Sequence, residues 1–308
     1  MSTKAQTSYM TAGRDIQNRN IRNHKNSRNR QKIRRQKRRR LCLRIVLLLV
    51  ILLAGYRLLK PNEGMSYDSK YKSSRPQQLS SEEIRDRLQK LAKQYPEFEE
   101  ILDNSDQYPE KLLSALCNNP DMIDYVKGYP NADGKVHGGL TSKELSQDSP
   151  LLLQWDARWG YVDYGDNKMG LSGCAPTCLS MVIVTLTKNV SATPDAVAKY
   201  AEENGFYMEG TGTAWSLMTE GSKHFGVHGS EIGLDKSVIF SKLEAGHPII
   251  CSVRPGDFTT AGHFIVLAGV ENGEIRVHDP NSIARSNQLW DYETLEGQIK
   301  NLWTFTKD

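Results

Sequence analysis

Residues 172–178 read Ser172-Gly173-Cys174-Ala175-Pro176-Thr177-Cys178 and run into the largely apolar stretch Leu179 to Leu186. A glycine turn entering a helix places Cys174 in the first helical turn. There the helix macrodipole and the unpaired backbone amides favour thiolate over thiol, the state a cysteine nucleophile needs near neutral pH. Pro176 suits an early helical position, since the N–H it lacks would have no partner there in any case. Cys178, one turn further on, is read as buried packing.

A thiolate nucleophile needs a group that accepts and returns a proton. His263 opens the strand-like run Gly262-His263-Phe264-Ile265-Val266-Leu267, which turns at Glu271-Asn272-Gly273-Glu274 and returns as Ile275-Arg276-Val277-His278-Asp279-Pro280. Asn-Gly between two such runs signals a hairpin, and Asp279 at its far end is the natural orienter of the imidazole. Strand parity limits this pairing. With a two-residue loop and Glu271 opposite Glu274, His263 and Asp279 fall on opposite faces. A three-residue loop with Gly273 in the left-handed conformation puts them on one face with Ile265, Leu267, Ile275 and Val277, so a bulged turn is expected.

Charge divides the rest of the chain. The 308 residues carry a formal net charge of +4, but residues 1–60 hold 17 Lys/Arg against the single acid Asp15, so the remainder is strongly acidic. Residues 1–40 contain too little apolar surface to order themselves and are read as a basic disordered tail. Residues 41–59, LCLRIVLLLVILLAGYRLL, have charges only at Arg44 and Arg57 and are long enough for one transmembrane helix. The excess of Lys/Arg before the span places the amino terminus in the cytoplasm and everything after Lys60 outside. That position makes topology setting, not nucleic-acid binding, the reading of the basic tail. A cleaved signal peptide, with Ile45 to Tyr56 as its apolar part, is the rival reading. A lipoprotein signal is excluded because Tyr56, not cysteine, follows Leu53-Ala54-Gly55. The five cysteines, Cys42, Cys117, Cys174, Cys178 and Cys251, have no regular spacing and form no disulfide framework, which suits a Gram-positive envelope.

Beyond the span, residues 60–79 read as a polar tether and residues 80–130 as a small helical module. Ser80 and Ser81 can cap a helix carrying Ile84, Leu88, Leu91 and Ala92. Pro96, Pro109 and Pro120 then each restart a short helix, since the residue before proline resists helix and proline is tolerated at its first position. Such a module has a thin core of its own, so it packs on the next domain or serves as a spacer or recognition arm. A Gly/Ser/Asp/Lys-rich link leads to the main domain at 148–308.

Leu151-Leu152-Leu153-Gln154-Trp155-Asp156-Ala157-Arg158-Trp159-Gly160, then Gly173-Cys174-Ala175-Pro176-Thr177, then Gly262-His263-Phe264, then Asp279-Pro280-Asn281-Ser282, resembles the bacteriocin-leader (double-glycine) peptidase-like domains of the papain superfamily. The resemblance covers roughly residues 148–306. It implies an α+β papain-like fold, a helix carrying the nucleophile packed on an antiparallel sheet, with Cys174 as nucleophile, His263 as base and Asp279 as orienting acid. Gln154 stands where these domains carry a glutamine that shares the oxyanion hole with the amide of the nucleophile. It precedes Cys174 by a wider spacing than papain-type enzymes use, and Ala175 stands where many relatives have glycine. No glycine-rich phosphate loop followed by Lys-Ser/Thr occurs, so ATP-driven export is not expected of this chain.

His224 and His228 have metal-ligand spacing if helical, but no carboxylate or thiol accompanies them and Gly226 and Gly229 interrupt the helix. No metal and no cofactor are expected. His247 and His278 read as surface or structural, Trp155, Trp159 and Trp215 as packing more than cleft, and Gly210-Thr211-Gly212-Thr213 as a loop. The whole reads as a single-pass, membrane-anchored extracellular cysteine peptidase, a hydrolase acting on a peptide or protein substrate through an acyl-enzyme. Its rivals are a papain-type cell-wall peptide hydrolase or transpeptidase, and a catalytically idle peptide-binding surface module.

Overall fold

The computed structural model describes residues 68–71 and 74–307, all within one compact unit, Asn62–Asp308. The basic tail (1–40) and the transmembrane helix (41–59) expected from the sequence lie outside the described residues. Among the described residues no helix is long and apolar enough to cross a membrane.

Helix α1 (Ser81–Gln94) begins at a reciprocal cap, in which Ser80 accepts from the Glu83 amide and the Glu83 carboxylate accepts from the Ser80 amide. It buries Ile84, Leu88 and Ala92, one stripe at helical spacing. Pro96 opens a 3-10 turn leading into the helix Glu99–Asp103, and Pro109 caps α2 (Glu110–Asn118). Pro120 opens the turn before the helix Ile123–Gly128. These short helices share one hydrophobic core with Leu151–Leu153, Trp155 and Trp159. Each has one apolar stripe, too little to form a core without a partner layer. Tyr125 and Tyr161 stack with ring centroids 4.6 Å apart, and the Tyr161 hydroxyl donates to the Tyr125 carbonyl.

The expected tether over residues 60–79 is corrected for its described part. Tyr71 is buried edge-on against Tyr95 and Phe98, its hydroxyl donates to Glu97, and Ser69 donates to Asp121. An aromatic ring with a polar tip gains burial and a hydrogen bond at once, which a composition rich in Ser and Lys conceals.

Six strands form the main sheet: β1 (Val227–Glu231), β2 (Ile249–Val253), β3 (His263–Glu271), β4 (Glu274–His278), β5 (Leu289–Trp290) and β6 (Ile299–Lys307). Their order is β1-β6-β2-β3-β4-β5, every neighbour antiparallel. Helix α3 (Cys174–Thr187) packs with Ile250, Phe264, Val266, Trp303 and Phe305. Residues 175–184 of α3 are all buried, so it is a central helix, covered all round. The alternate residues Cys251, Ile265, Leu267 and Val277 pack instead with Ile239 and Leu243 of α4 (Lys236–Glu244). With both faces covered, Phe264-Ile265-Val266-Leu267 is apolar at every position.

The β3–β4 hairpin departs from the expected bulged turn. Glu271 pairs with Glu274, and Asn272 and Gly273 both have positive φ (54° and 83°), a two-residue loop whose twist matches the strands. The parity change comes four residues earlier, where the register shifts between Leu267 and Gly269. Ala268 and Gly269, the smallest side chains of β3, tolerate that bulge. Beyond it Val266 pairs with His278, which sets Asp279 two positions along from His263 on the same parity.

Arg158 is the centre of the loop that precedes α3. Its guanidinium donates to both carboxylate oxygens of Glu144 (2.7 and 3.0 Å), to both of Asp156 (2.6 and 3.0 Å) and to the Gly139 carbonyl. All three side chains are buried, and the ring of Trp159 lies 4.2 Å beneath the guanidinium carbon. Removing one member of such a group leaves uncompensated buried charge, at a cost of about 3–5 kcal/mol. Arg158→Met is therefore expected to lower unfolding free energy by roughly that amount, read as a lower urea midpoint with unchanged slope. A loss under ~1 kcal/mol would mean that water replaces the arginine.

Candidate active site

The elements just described converge on three residues. Gly173 is the N-cap of α3, and a Cβ there would lie 2.7 Å from the Met169 carbonyl oxygen, so the turn into the helix has room only for glycine. Cys174 follows as the first helical residue and is partly exposed, whereas Cys178 is fully buried with its thiol pushed well above the ordinary range by that burial. His263, at the start of β3, lines the same cleft as Cys174, whose side chain helps to raise the imidazole. Its Nε2 lies 2.7 Å from Asp279 Oδ1, which leaves Nδ1 for the thiol. Burial alone would lower the imidazole pKa. The charge and hydrogen bond of Asp279, joined by Cys174, outweigh it and push His263 up to about 9.

Asp279 has no exposed surface. Burial alone would raise its carboxyl, but Arg285 and His263 bring it down to about 2. Arg285 Nε donates to Oδ2 at 2.6 Å, and the Asn281 amide donates to Oδ1 at 2.8 Å. Ser282 caps the short helix Ile283–Ser286 by accepting from the Arg285 amide, which brings the arginine back within one turn of the carboxylate. The Asn281 carbonyl accepts from Trp155 Nε1 (3.0 Å) and from the Asn119 side chain, so the loop is fixed from two directions. Sequence reasoning missed Arg285 and Asn119. A signal for the first existed in Asp279-Pro280-Asn281-Ser282, an Asx-turn and N-cap pattern that folds its fourth residue back. Asn119 carries none.

Gln154 lines the same cleft as Cys174 and His263. It is buried, its Nε2 donates to the Gly170 carbonyl at 3.0 Å, and its backbone amide donates to the Pro280 carbonyl. Gly170 can only accept there, which orients the side-chain amide, and Oε1 is left buried without a partner. The cleft encloses about 230 Å³, below the roughly 300–1,000 Å³ of typical ligand pockets. Pro76, Lys111, Ser114 and Asn118 also line it, as do Thr259 and Thr260.

The remaining candidates fall elsewhere. Trp155 and Trp159 are core residues, while Trp215 is exposed and edge-on to Trp303. His224 stacks on Tyr200 with centroids 4.1 Å apart, and His228 is exposed on β1. His278, read as surface or structural, is structural: it is buried in β4, and its Nδ1 has no hydrogen-bond partner. Burial, helped by Arg276, lowers its pKa to about 4. A depressed histidine contributes stability that is present above the unfolded-state value near 6.5 and is lost as pH falls toward about 4. His278→Gln keeps a polar side chain of similar size without the titration. Its unfolding free energy is expected to fall less than that of the parent between pH 7 and 4.5, by up to about 3 kcal/mol. Parallel curves in urea titrations would refute a buried neutral imidazole.

Comparison with known proteins places the sequence in a family. Residues 146–308 match the model of the Peptidase_C39 like family. Among solved structures, the crystal structure of the peptidase domain of Streptococcus ComA, a bi-functional ABC transporter involved in a quorum sensing pathway, is similar at 20% identity. The match covers 53% of this chain and 100% of that one, with a TM-score of 0.38. No curated protein matches. The family match spans more than half of the sequence and agrees with the resemblance carried by its Gly-Cys-x-Pro-Thr, Gly-His-Phe and Asp-Pro blocks: the chain belongs to the Peptidase_C39 like family.

Proposed function

We propose that the chain is a cysteine peptidase that hydrolyses peptide bonds through Cys174, His263 and Asp279. The observation that carries this reading is the hydrogen-bonded Asp279–His263 pair in the same cleft as Cys174, the first residue of α3. The Cys174 thiolate attacks the carbonyl carbon of the scissile bond while its former proton resides on His263. The developing oxyanion is met by the Cys174 amide, one of the unpaired donors of the first helical turn, and by Nε2 of Gln154. His263 then gives its proton to the departing amine, leaving a thioester. Water, deprotonated by His263, attacks the thioester carbonyl and regenerates the thiolate. Asp279 keeps the ring oriented and stabilises its cationic form without taking the proton itself. These steps need no cofactor.

The further setting is part of the same proposal: residues 41–59 hold the protein in the plasma membrane as a single-pass anchor, amino terminus in the cytoplasm and peptidase outside. What supports it is the apolar length of that stretch, charged only at Arg44 and Arg57 near its ends, and the Lys/Arg excess before it. The substrate is a peptide or protein, and no nucleic-acid partner is invoked.

Iodoacetamide labelling of Cys174 in the purified full-length protein is the direct test, followed by mass spectrometry of the Cys174 peptide. Labelling is expected to stay rapid well below the free-thiol pKa of about 8.5 and to become slow in His263→Ala. An ordinary thiol profile in both proteins would refute an activated Cys-His pair and favour an idle peptide-binding module. Peptide hydrolysis should fall as pH rises through about 9, where His263 loses the proton it must donate. Asp279→Asn removes the charge that raises the imidazole. It is expected to move that alkaline limb downward and to cost roughly 10²–10⁴-fold in kcat. An unmoved limb in this variant would mean that Asp279 has no part in setting the histidine.

A further inference from the structure

The part of the cleft lining contributed by Pro76 and α2 comes from outside residues 146–308, the part that matches the family. Residues 74–80 run without regular structure and are held at two points on either side of Pro76. At one, Asn118 at the end of α2 reads the main chain of a single residue: its Oδ1 accepts from the Gln77 amide (2.9 Å) and its Nδ2 donates to the Gln77 carbonyl (3.0 Å). An amide side chain satisfying both backbone groups of one residue does what a neighbouring strand does when it binds a peptide, and it imposes no demand on side-chain identity. At the other point, Arg75 Nε lies 3.8 Å from Asp257 Oδ1. Asp257 is itself fixed, since Gln298 Nε2 donates to its Oδ2 at 2.7 Å and its amide donates to Gln298 Oε1 at 2.6 Å. Between these points Pro76 lines the cleft with Cys174 and His263, and its fixed φ holds the path of the strap.

We infer that Asp257 and Asn118 are the two ends of a peptide-binding subsite flanking Cys174, and that Arg75–Gln77 fill it as an internal occupant. Its ligand class is a non-helical peptide carrying a basic side chain two residues ahead of the residue that Asn118 reads. As peptide binding this stands by itself; as substrate selection it rests on the peptidase reading. The exposed Arg75–Asp257 pair is weak by itself, which suits an occupant that a substrate must displace. Chain connection to α1 gives the strap an effective concentration in the millimolar range, enough to compete with a free peptide of the same sequence.

The test uses the full-length protein with Cys174→Ala to prevent turnover, and the fluorescein-labelled peptide Ser-Ser-Arg-Pro-Gln-Gln, the sequence of residues 73–78, read by fluorescence anisotropy. Arg75→Glu loosens the occupant and is expected to tighten peptide binding at least ~10-fold over the parent. Asp257→Arg repels both the strap and this peptide. It is expected to bind Ser-Ser-Glu-Pro-Gln-Gln instead, a reversal of preference. Absence of binding to the Arg75→Glu protein, or equal binding of the two peptides by both variants, would overturn the proposal. Reversal without hydrolysis by a Cys174-intact chain would keep the subsite and remove the peptidase reading. Hydrolysis with no reversal would do the opposite.

Discussion

Everything at the site depends on keeping one carboxylate ionised where water cannot reach it. Asp279 has no exposed surface, and an isolated charge there would be neutralised by taking up a proton. Three donors prevent that: the ring of His263, the Nε of Arg285 and the amide of Asn281. The requirement explains features that look unrelated. Pro280-Asn281-Ser282 must turn back at once to present an amide, Ser282 must cap the next helix so that Arg285 returns, and β3 must carry a bulge so that Asp279 and His263 have the same parity. Trp155 and Asn119 then clamp the turn from the preceding loop and from the helical segment.

The sequence makes the chemistry easier to read than the scaffolding. Cys174 is marked by the glycine before it and the apolar helix after it, and His263 and Asp279 by their places at the ends of a hairpin. The parity of that hairpin shows both the strength and the limit of pattern reasoning. The apolar set Ile265, Leu267, Ile275 and Val277 demanded one extra residue, and one is present. Its position was misread because Asn272-Gly273 fits either loop, while the choice was made by Ala268 and Gly269, whose small size permits a bulge without requiring one. Those four residues also face away from α3, since a sheet covered on both sides gives no alternation from which to tell the faces apart.

Long-range partnerships were the least legible. Tyr71 lies in a polar stretch and is buried by rings 24 and 27 positions later, and Asn118 and Asn119 are unremarkable residues at a helix end. Their roles arise only when the helical segment is folded against the region after Leu151, which joins its apolar stripes to Trp155 and Trp159 in one core. The same contact makes α2 part of the cleft lining, so a segment that reads as an accessory in sequence is inseparable in space from the site.

Neighbouring positions 278 and 279 have their proton affinities displaced downward, to about 4 and about 2, while His263 is displaced upward to about 9. In the middle of the interval between about 4 and about 9, around neutral pH, these three groups hold their protonation states in the folded protein. The ordinary histidine midpoint near 6.5, where cellular compartments and extracellular fluids differ most in acidity, has been cleared from both buried imidazoles. Moderate acidification of the surroundings therefore leaves the pattern of buried charge beside Cys174 as it was, and the fold acts here as a proton insulator.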